Sequence, residues 1–420
     1  IFNLVLFFVV LSAVILYKVV FYGNTELTGF YQALLYIYSL LGGLFLLSRL
    51  PIAFIFDHMK SDQKVLSINY VYPKVSFVIA AKNEEDSIYK TIETCMGSNY
   101  PSEMECIAVD DGSTDKTYEE MQRASKFFGE KLVKAVTLGV NKGKREAMSE
   151  GIYLTKNEII VFVDSDSFLE KNALKQLVHH FVHEKVGAVS GNTKVANRKT
   201  NILTKMQSIR YAVSYDIFKV CESHFGAVTC CPGCFSAYRR EAILPILPNW
   251  RNQMFMGTRS TFGDDRSLTN FVLRNWDVEY CQSAKAETIV PDKYSKFLKQ
   301  QLRWKKSWIR EGSVAASFIW KKHPIASLSF YTNLILPTLG PIVVGTVIYR
   351  SIFELNFNYL FAFIFGVTVL GLLFGVFLSL MQREKYWYYM PLFSIFYTIF
   401  MIWQMPYAII RINDTRWGTR

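Results

Sequence analysis

Long apolar runs stand at both ends of this chain, with a charged, regularly punctuated segment between them. That arrangement limits the fold more than any single motif. Residues 2–21 are almost unbroken apolar, opening Phe2-Asn3-Leu4-Val5-Leu6-Phe7-Phe8-Val9-Val10-Leu11. A helix needs about 20 such residues to cross a bilayer, so one span is expected here. No small-residue cleavage pattern follows it, so a cleaved signal peptide is not expected. Gly23-Asn24-Thr25-Glu26 turns the chain, and residues 30–57 form a second expected span. It carries Gly42-Gly43 inside and Arg49 near one end, able to snorkel or to face the bundle. The loop from His58 to Asp62, with Lys60 and Lys64, marks the cytoplasmic side by the charge rule.

After Gly312 the apolar character returns. Spans are expected at 325–349, 358–380 and 388–411, with Pro337, Pro341 and Pro406 inside them. The short basic loops Lys321-Lys322-His323 and Arg383-Glu384-Lys385 are expected inside. Two spans before the polar segment and three after it give an odd total. Either the basic tail from Arg411 to Arg420 lies outside, against the charge rule, or a segment such as 313–323 enters and returns.

The composition fits this division. The chain has 420 residues, 51% of them hydrophobic, too apolar for an ordinary soluble enzyme. The net charge of +12 suits an anionic membrane face or anionic substrates. No zinc finger, recognition helix or basic stripe supports nucleic acid as partner. Seven cysteines, at Cys95, Cys106, Cys221, Cys230, Cys231, Cys234 and Cys281, are an odd set and are expected as reduced thiols. Cys230-Cys231-x-x-Cys234 has no second Cys/His pair at finger spacing, which argues against zinc.

The middle, from Val75 to about Glu311, alternates strand and helix signals. Val75 to Ala80 reads as a strand, and Asn83-Glu84-Glu85-Asp86 caps a helix to Met96. Cys106 to Val109 is a strand, Thr114 to Phe128 a helix, Leu132 to Thr137 a strand and Asn141 to Leu154 a helix. Ile160-Val161-Phe162-Val163 is then a buried strand that opens into Asp164-Ser165-Asp166. Residues 168–184 read as a helix, Val186 to Ser190 as a strand, Ile202 to Phe225 as a helix and Cys230 to Ser236 as a turn. Gly263-Asp264-Asp265-Arg266 opens a further helix to Arg274. This rhythm predicts an α/β fold with a doubly wound, mostly parallel sheet, which binds ligands beyond the carboxyl ends of its strands.

Three acidic pairs fall at such ends: Asp110 with Asp111, Asp164 with Asp166, and Asp264 with Asp265. Each alone reads equally as a capped turn. Together they point to one site, and clustered carboxylates need cations to coexist. Mg²⁺ or Mn²⁺, held by carboxylates and phosphates, is the expected cofactor. Lys142-Gly143-Lys144-Arg145 supplies positive charge, as does Arg303, whose fork suits a diphosphate. Trp304 offers a flat face to a sugar ring, or else anchors at the membrane interface as Trp308 does. Asp265 is the candidate general base. The expected reaction is sugar transfer from a nucleotide diphosphate with inversion at the anomeric carbon.

Asp110-Asp111-Gly112, Asp164-Ser165-Asp166, Gly263-Asp264-Asp265 and Gln300-Gln301-Leu302-Arg303-Trp304, with their membrane flanks, resemble the processive family 2 glycosyltransferases of the cellulose, chitin and hyaluronan synthase group. The resemblance implies a GT-A-type sheet domain inserted between transmembrane helices. It implies that Asp110 and Asp111 contact the nucleotide and that the Asp164-x-Asp166 pair binds the metal, with Asp166 as metal ligand and Asp164 at the substrate. It implies that Asp265 is the base beside Asp264, and that Gln300, Arg303 and Trp304 sit over acceptor and diphosphate at the mouth of a channel. Gly143-Lys144-Arg145-Glu146, Asn249-Trp250-Arg251-Asn252-Gln253 and Gly263-Asp264-Asp265-Arg266-x-Leu268-Thr269 look like hyaluronan synthases, which places Lys144 and Arg145 among substrate contacts. Pro232-Gly233-Cys234-Phe235-Ser236 departs from the Ser-Gly-Pro-Leu-Gly of that group, next to the primer sugar, so Cys234 is expected at the substrate. The cysteine-rich approach and Tyr238-Arg239 resemble chitin-type enzymes.

The implied organisation is two spans over 1–57, a cytoplasmic catalytic domain over 58–298, interfacial helices over 299–323, spans over 324–411 and a tail over 412–420. The implied partners are UDP-sugars, the growing polysaccharide and membrane lipid, with no obligate protein partner, at the plasma membrane. UDP-N-acetylglucosamine with UDP-glucuronate would give hyaluronan; the first alone would give chitin or its oligomers. A tethered enzyme adding one sugar to a lipid leaves the late tryptophans and later spans unexplained. A transporter with a nucleotide-sensing domain predicts paired ionisable residues in the spans, and few occur beyond Arg49 and Glu354.

Overall fold

The computed structural model describes residues 30–55 and 69–414. The expected first span and the loop around Lys60 lie outside the described residues. The centre is an eight-stranded sheet. Its strands are β1 Val75–Ala81, β2 Met104–Asp110, β3 Val133–Thr137, β4 Ile159–Phe162, β5 Ser167–Leu169, β6 Val186–Val195, β7 Ser236–Arg239 and β10 Asp277–Thr288, in the order β3-β2-β1-β4-β7-β6-β10-β5. The short hairpin β8 Met254–Phe255 and β9 Thr258–Arg259 lies apart.

β1 pairs in parallel with β2 and β4, β2 with β3, and β6 with β10. β7 runs antiparallel between β4 and β6, and β5 antiparallel on the β10 edge. The parallel half is the expected doubly wound unit. Its strands are apolar on both faces because helices cover both. On one face lie α2 Ile88–Met96, α3 Thr117–Phe128 and α5 Ala173–His179, supplying Ile92, Met121 and Leu177. On the other lie α4 Lys144–Leu154, α6 Ile202–Val213 and α7 Asp264–Leu273, supplying Ile152, Ile209 and Leu268.

This second core does not stop at the domain. It runs on through Leu50 and Ala53 of α1 Phe30–Ile55, Ile319, and Phe374 and Phe377 of a membrane helix. The catalytic sheet and the membrane bundle are therefore one apolar body.

Two departures from the sequence reading have tertiary causes. Residues 168 and 169, expected to open a helix, are strand, because Ser167 to Leu169 zip onto Thr288 to Ala286. The helix expected over 202–225 is broken by a π turn at Ser214–Lys219 before it resumes at Val220–Ser223. Lys219 Nζ there reaches the Cys230 carbonyl.

α8 Tyr294–Ala316 carries Gln300 to Trp304 and runs toward the membrane helices α9 Pro324–Phe353 and α10 Asn358–Gln382. Three described helices are long and apolar enough to cross a bilayer: residues 36–55 of α1, α9 and α10. Arg49 faces the bundle, where its Nη1 donates to Ser329 Oγ at 2.9 Å. The third span expected after the domain is instead a bent pair, Trp387–Phe400 and Gln404–Ile410, at 47°. A π turn at Phe396–Phe400 ends the first part. The bend exposes backbone, and α8 satisfies it: Lys305 Nζ donates to the Met401 carbonyl at 2.9 Å and to Gln404 Oε1 at 3.3 Å. Burial, then Arg210, pushes the Lys305 amine down to about 7.

The bent pair stays against the catalytic domain. Phe396 meets Tyr294 and Phe297, and the Asp414 carbonyl accepts from Lys306 Nζ at 2.8 Å. Two long helices thus follow the domain, and the chain at Asp414 is back on the domain's side. Among the described residues, the sharp break in this last apolar segment falls within 387–410.

Replacing Lys305 by Met keeps the volume but leaves the Met401 carbonyl unpaired. The variant should lose roughly 1–3 kcal/mol, read as earlier thermal unfolding in detergent. Unchanged melting would show that this bond does not hold the bend.

Candidate active site

Asp110 ends β2 and Asp111 follows it, and both are buried. Asp110 Oδ1 accepts from the Ser113 N–H at 3.1 Å, and Oδ2 from Thr137 Oγ1 at 2.8 Å. Asp111 Oδ1 accepts from the N–H groups of Lys142 and Gly143 at 2.7 and 3.0 Å. Burial raises the Asp111 pKa, against those bonds. Gly112, at φ +66°, leaves no room for a Cβ, which would stand 2.5 Å from Asn141 N. The first acidic pair therefore fixes the loop that leads into α4.

α4 begins at Lys144, and its ammonium bonds Asp164 Oδ1. Burial opposes the Lys144 charge, but Asp164, with Asp265 and Asp264 behind it, outweighs burial and holds its pKa above the usual lysine value. One ammonium thus lies in the field of the second and third acidic clusters, which is where they converge. Asp164 is partly open to solvent. Gly233 lies so close that a Cβ there would stand 2.7 Å from Asp164 Oδ1. Asp166 accepts from Thr288 Oγ1 at 3.5 Å. The Cys234 thiol is pushed well up by burial, then by Asp164 and Asp166, which puts it beside that pair.

Arg145 points the other way. Its Nε donates to Asp264 Oδ1 at 2.8 Å, and its Nη1 to the Trp250 carbonyl at 2.9 Å. Both side chains of the ion pair are about 95% buried. Neither presents its charge to a ligand in this structure. Removing one partner of such a buried pair costs about 3–5 kcal/mol, so the pair braces the start of α7.

Asp265 follows it in the first turn of α7 and is half-buried. Its Oδ1 accepts from the Arg266 N–H at 2.8 Å, and its Oδ2 lies 3.8 Å from Cys230 Sγ. Burial, then Asp265, pushes the Cys230 thiol up to about 11, so it faces the carboxylate as a neutral S–H.

α7 is locked onto α8. Gly263 is left-handed at φ +75°, and a Cβ there would stand 1.9 Å from Ser307 Oγ. Arg310 Nη2 bonds the Phe262 carbonyl, and Arg310 pairs with Glu311 at 2.8 Å. Gln253 Nε2 reaches Glu311 Oε1 at 3.2 Å, and Asn270 Nδ2 donates to the Glu311 carbonyl at 2.9 Å. The sequence reading held Gln253 only as part of a synthase-like stretch and missed Asn270, Arg310 and Glu311. A charged pair on a helix about to enter lipid was the available signal. Gln300, Arg303 and Trp304 share one face of α8 by their i, i+3, i+4 spacing, and all are half-buried. Arg210 Cζ lies 5.2 Å from the Trp304 ring centroid.

Among the described residues no three His, Cys, Asp or Glu side chains converge on one point. Asp164 and Asp166 supply hard oxygens only in part. That fits a Mg²⁺ or Mn²⁺ whose shell is completed by substrate phosphates and water, and Lys144 on Asp164 shows that this spot accepts a cation.

Gly263→Ala forces a Cβ into Ser307 and into a left-handed conformation. It should cost about 1–3 kcal/mol and most of the turnover. Adding Ser307→Gly should recover part of both. A single variant with normal melting and turnover would show that α7 and α8 do not meet this closely.

The comparisons agree with this architecture. Residues 76–246 match the model of glycosyl transferase family 2. Hyaluronan synthase of Streptococcus pyogenes is 29% identical over 422 aligned residues, 99% of this chain and 96% of the relative. An N-acetylglucosaminyltransferase of Azorhizobium caulinodans is 30% identical over 358 residues, 83% of this chain and 87% of the relative. A mannosyltransferase from Pyrobaculum calidifontis, solved with GDP-mannose and Mn²⁺, superposes with a TM-score of 0.59 at 16% identity, over 90% of this chain and 99% of that one. That likeness speaks for the fold, a GT-A-type sheet. The chain is a membrane protein and a glycosyltransferase, and it belongs to glycosyl transferase family 2, in the group that holds the hyaluronan synthases and rhizobial N-acetylglucosaminyltransferases.

Proposed function

We propose that the enzyme polymerises UDP-activated sugars, UDP-N-acetylglucosamine together with UDP-glucuronate, into a hyaluronan-like polysaccharide. It passes the product through its own membrane helices. The observation that carries this is the likeness to hyaluronan synthase over nearly the whole chain, membrane helices included. The lock between α7 and α8 supports it, since it ties the acidic loop at Asp265 to the helix of Trp304 and so to the bundle. The catalytic domain is proposed to face the cytoplasm at the plasma membrane, where UDP-sugars are made.

In this reading Asp265 takes the proton of the acceptor hydroxyl while that oxygen bonds to the anomeric carbon from the side opposite UDP. The bond from that carbon to the diphosphate oxygen breaks, UDP leaves, and the configuration inverts. Asp110 and Asp111 shape the nucleotide side, and Lys144 and Asp164 lie at the diphosphate. Asp166 would ligate Mg²⁺ or Mn²⁺, which supplies charge for the departing phosphates. Arg145 and Asp264 are positioning residues for the base. Cys234 borders the sugar, and Gln300, Arg303 and Trp304 hold acceptor and diphosphate at the channel mouth.

A second reading, a chitin or chitin-oligosaccharide synthase using UDP-N-acetylglucosamine alone, is favoured by one observation. The Azorhizobium relative matches at a similar level of identity. Product analysis in purified membranes separates the two. Polymer that forms only with both donors is expected, and long chains from UDP-N-acetylglucosamine alone would replace the first reading by the second.

Asp265→Asn should keep UDP-sugar binding within a few-fold and cut transfer by about 10²–10⁴. Equal loss of binding and transfer would remove Asp265 from the role of base.

A further inference from the structure

α6 lies across the active face with α8 on one side and the bent pair on the other. At their seam stands Arg210. Its guanidinium lies 5.2 Å from the Trp304 ring centroid and 5.6 Å from that of Tyr397. Lys305 Nζ lies 4.8 Å from the same Tyr397 ring. Two cations and two aromatic faces therefore meet beside the residue proposed to stack the acceptor. Neither Arg210 nor Lys305 pairs with a carboxylate among the described residues.

The two cations are not equivalent. Lys305 is occupied by the Met401 carbonyl and Gln404. Arg210 Nη1 is buried and has no hydrogen-bond partner among the described residues. Ring faces attract a guanidinium, but they offer it no lone pair in the plane of its N–H groups. A buried donor left without an acceptor is costly, and native structures keep few of them. The neighbouring Tyr211 feels Cys234, Asp166 and Asp164, so the seam adjoins the sugar end of the site.

A planar acceptor with two oxygens would complete Arg210, and a carboxylate is the best match to its fork. Of the sugars in the proposed polymer, only the hexuronate carries one. We infer that Arg210 is a specificity-determining residue that reads the hexuronate carboxylate of the growing chain while Trp304 stacks that sugar ring. This rests on the hyaluronan-like reading above. It explains how one acceptor site, with Trp304 as its stacking face, recognises a chain that ends in glucuronate.

The test uses the full-length enzyme in membranes, with both UDP-sugars and with UDP-N-acetylglucosamine alone. Arg210→Gln should reduce alternating polymer at least about tenfold, the scale of one charge-assisted bond. Short products ending in glucuronate should accumulate, while UDP release from UDP-N-acetylglucosamine alone stays near wild type. Arg210→Lys should restore part of the chain length, since it keeps the charge without the fork. Normal polymer from Arg210→Gln, in a wild type that does incorporate glucuronate, overturns the inference alone. Equal loss of polymer and of UDP release also overturns it, because Arg210 would then be structural. A wild-type enzyme that incorporates no glucuronate overturns the hyaluronan-like reading and this inference with it.

Discussion

The structure depends on one apolar core shared by a catalytic sheet and a membrane bundle. Val78 and Ile160 of the sheet, Ile209 of α6 and Phe374 of α10 belong to the same buried cluster. A sheet with helices on both faces normally closes its own core and exposes polar helix backs. Here α6 packs on the sheet at β6 and also meets α10 and the bent pair, so one helix serves both the sheet and the membrane bundle. Moving the domain away from the bundle would expose that surface to water at about 25 cal/mol per Å². The domain is therefore held firmly against the membrane helices.

On that platform sits a concentration of negative charge that would be unstable alone. Each acidic pair is balanced by a different device. Backbone N–H groups and hydroxyls bind Asp110 and Asp111, an ammonium reaches Asp164, and a buried guanidinium holds Asp264. Asp265 has one backbone N–H and a neutral thiol as neighbours, which suits the proton-accepting role proposed for it. Ion-paired Asp264 and the proposed base Asp265 thus sit side by side, told apart by their partners.

Much of this was legible in the sequence. The apolar run into Asp164-Ser165-Asp166 gave a buried parallel strand and its ligand-side end, because period and composition agree there. The three acidic pairs and the basic run at Lys144 were visible as residue types. What each acid bonds was not. Arg145 and Lys144 are adjacent in sequence, yet one turns inward to Asp264 and the other outward to Asp164, a division made by the start of α4. Short strands such as Ser167–Leu169 were invisible because only pairing with β10 makes them strands. The bend at Met401 was hidden because hydropathy measures length and cannot see a backbone carbonyl claimed by Lys305.

The π turn in the long helix after Asn201 has a geometric result. A π turn inserts one residue into the α repeat, so the two halves of the helix are rotated by about 100° relative to an unbroken one. The upstream half aims Lys205 and Arg210 at tyrosines of the bent pair, while Phe218 in the turn and Cys221 beyond it meet α1. One helix thereby serves two neighbours that no uninterrupted stripe could reach. The extra residue acts as a swivel between the side that meets the bent pair and the side that meets α1.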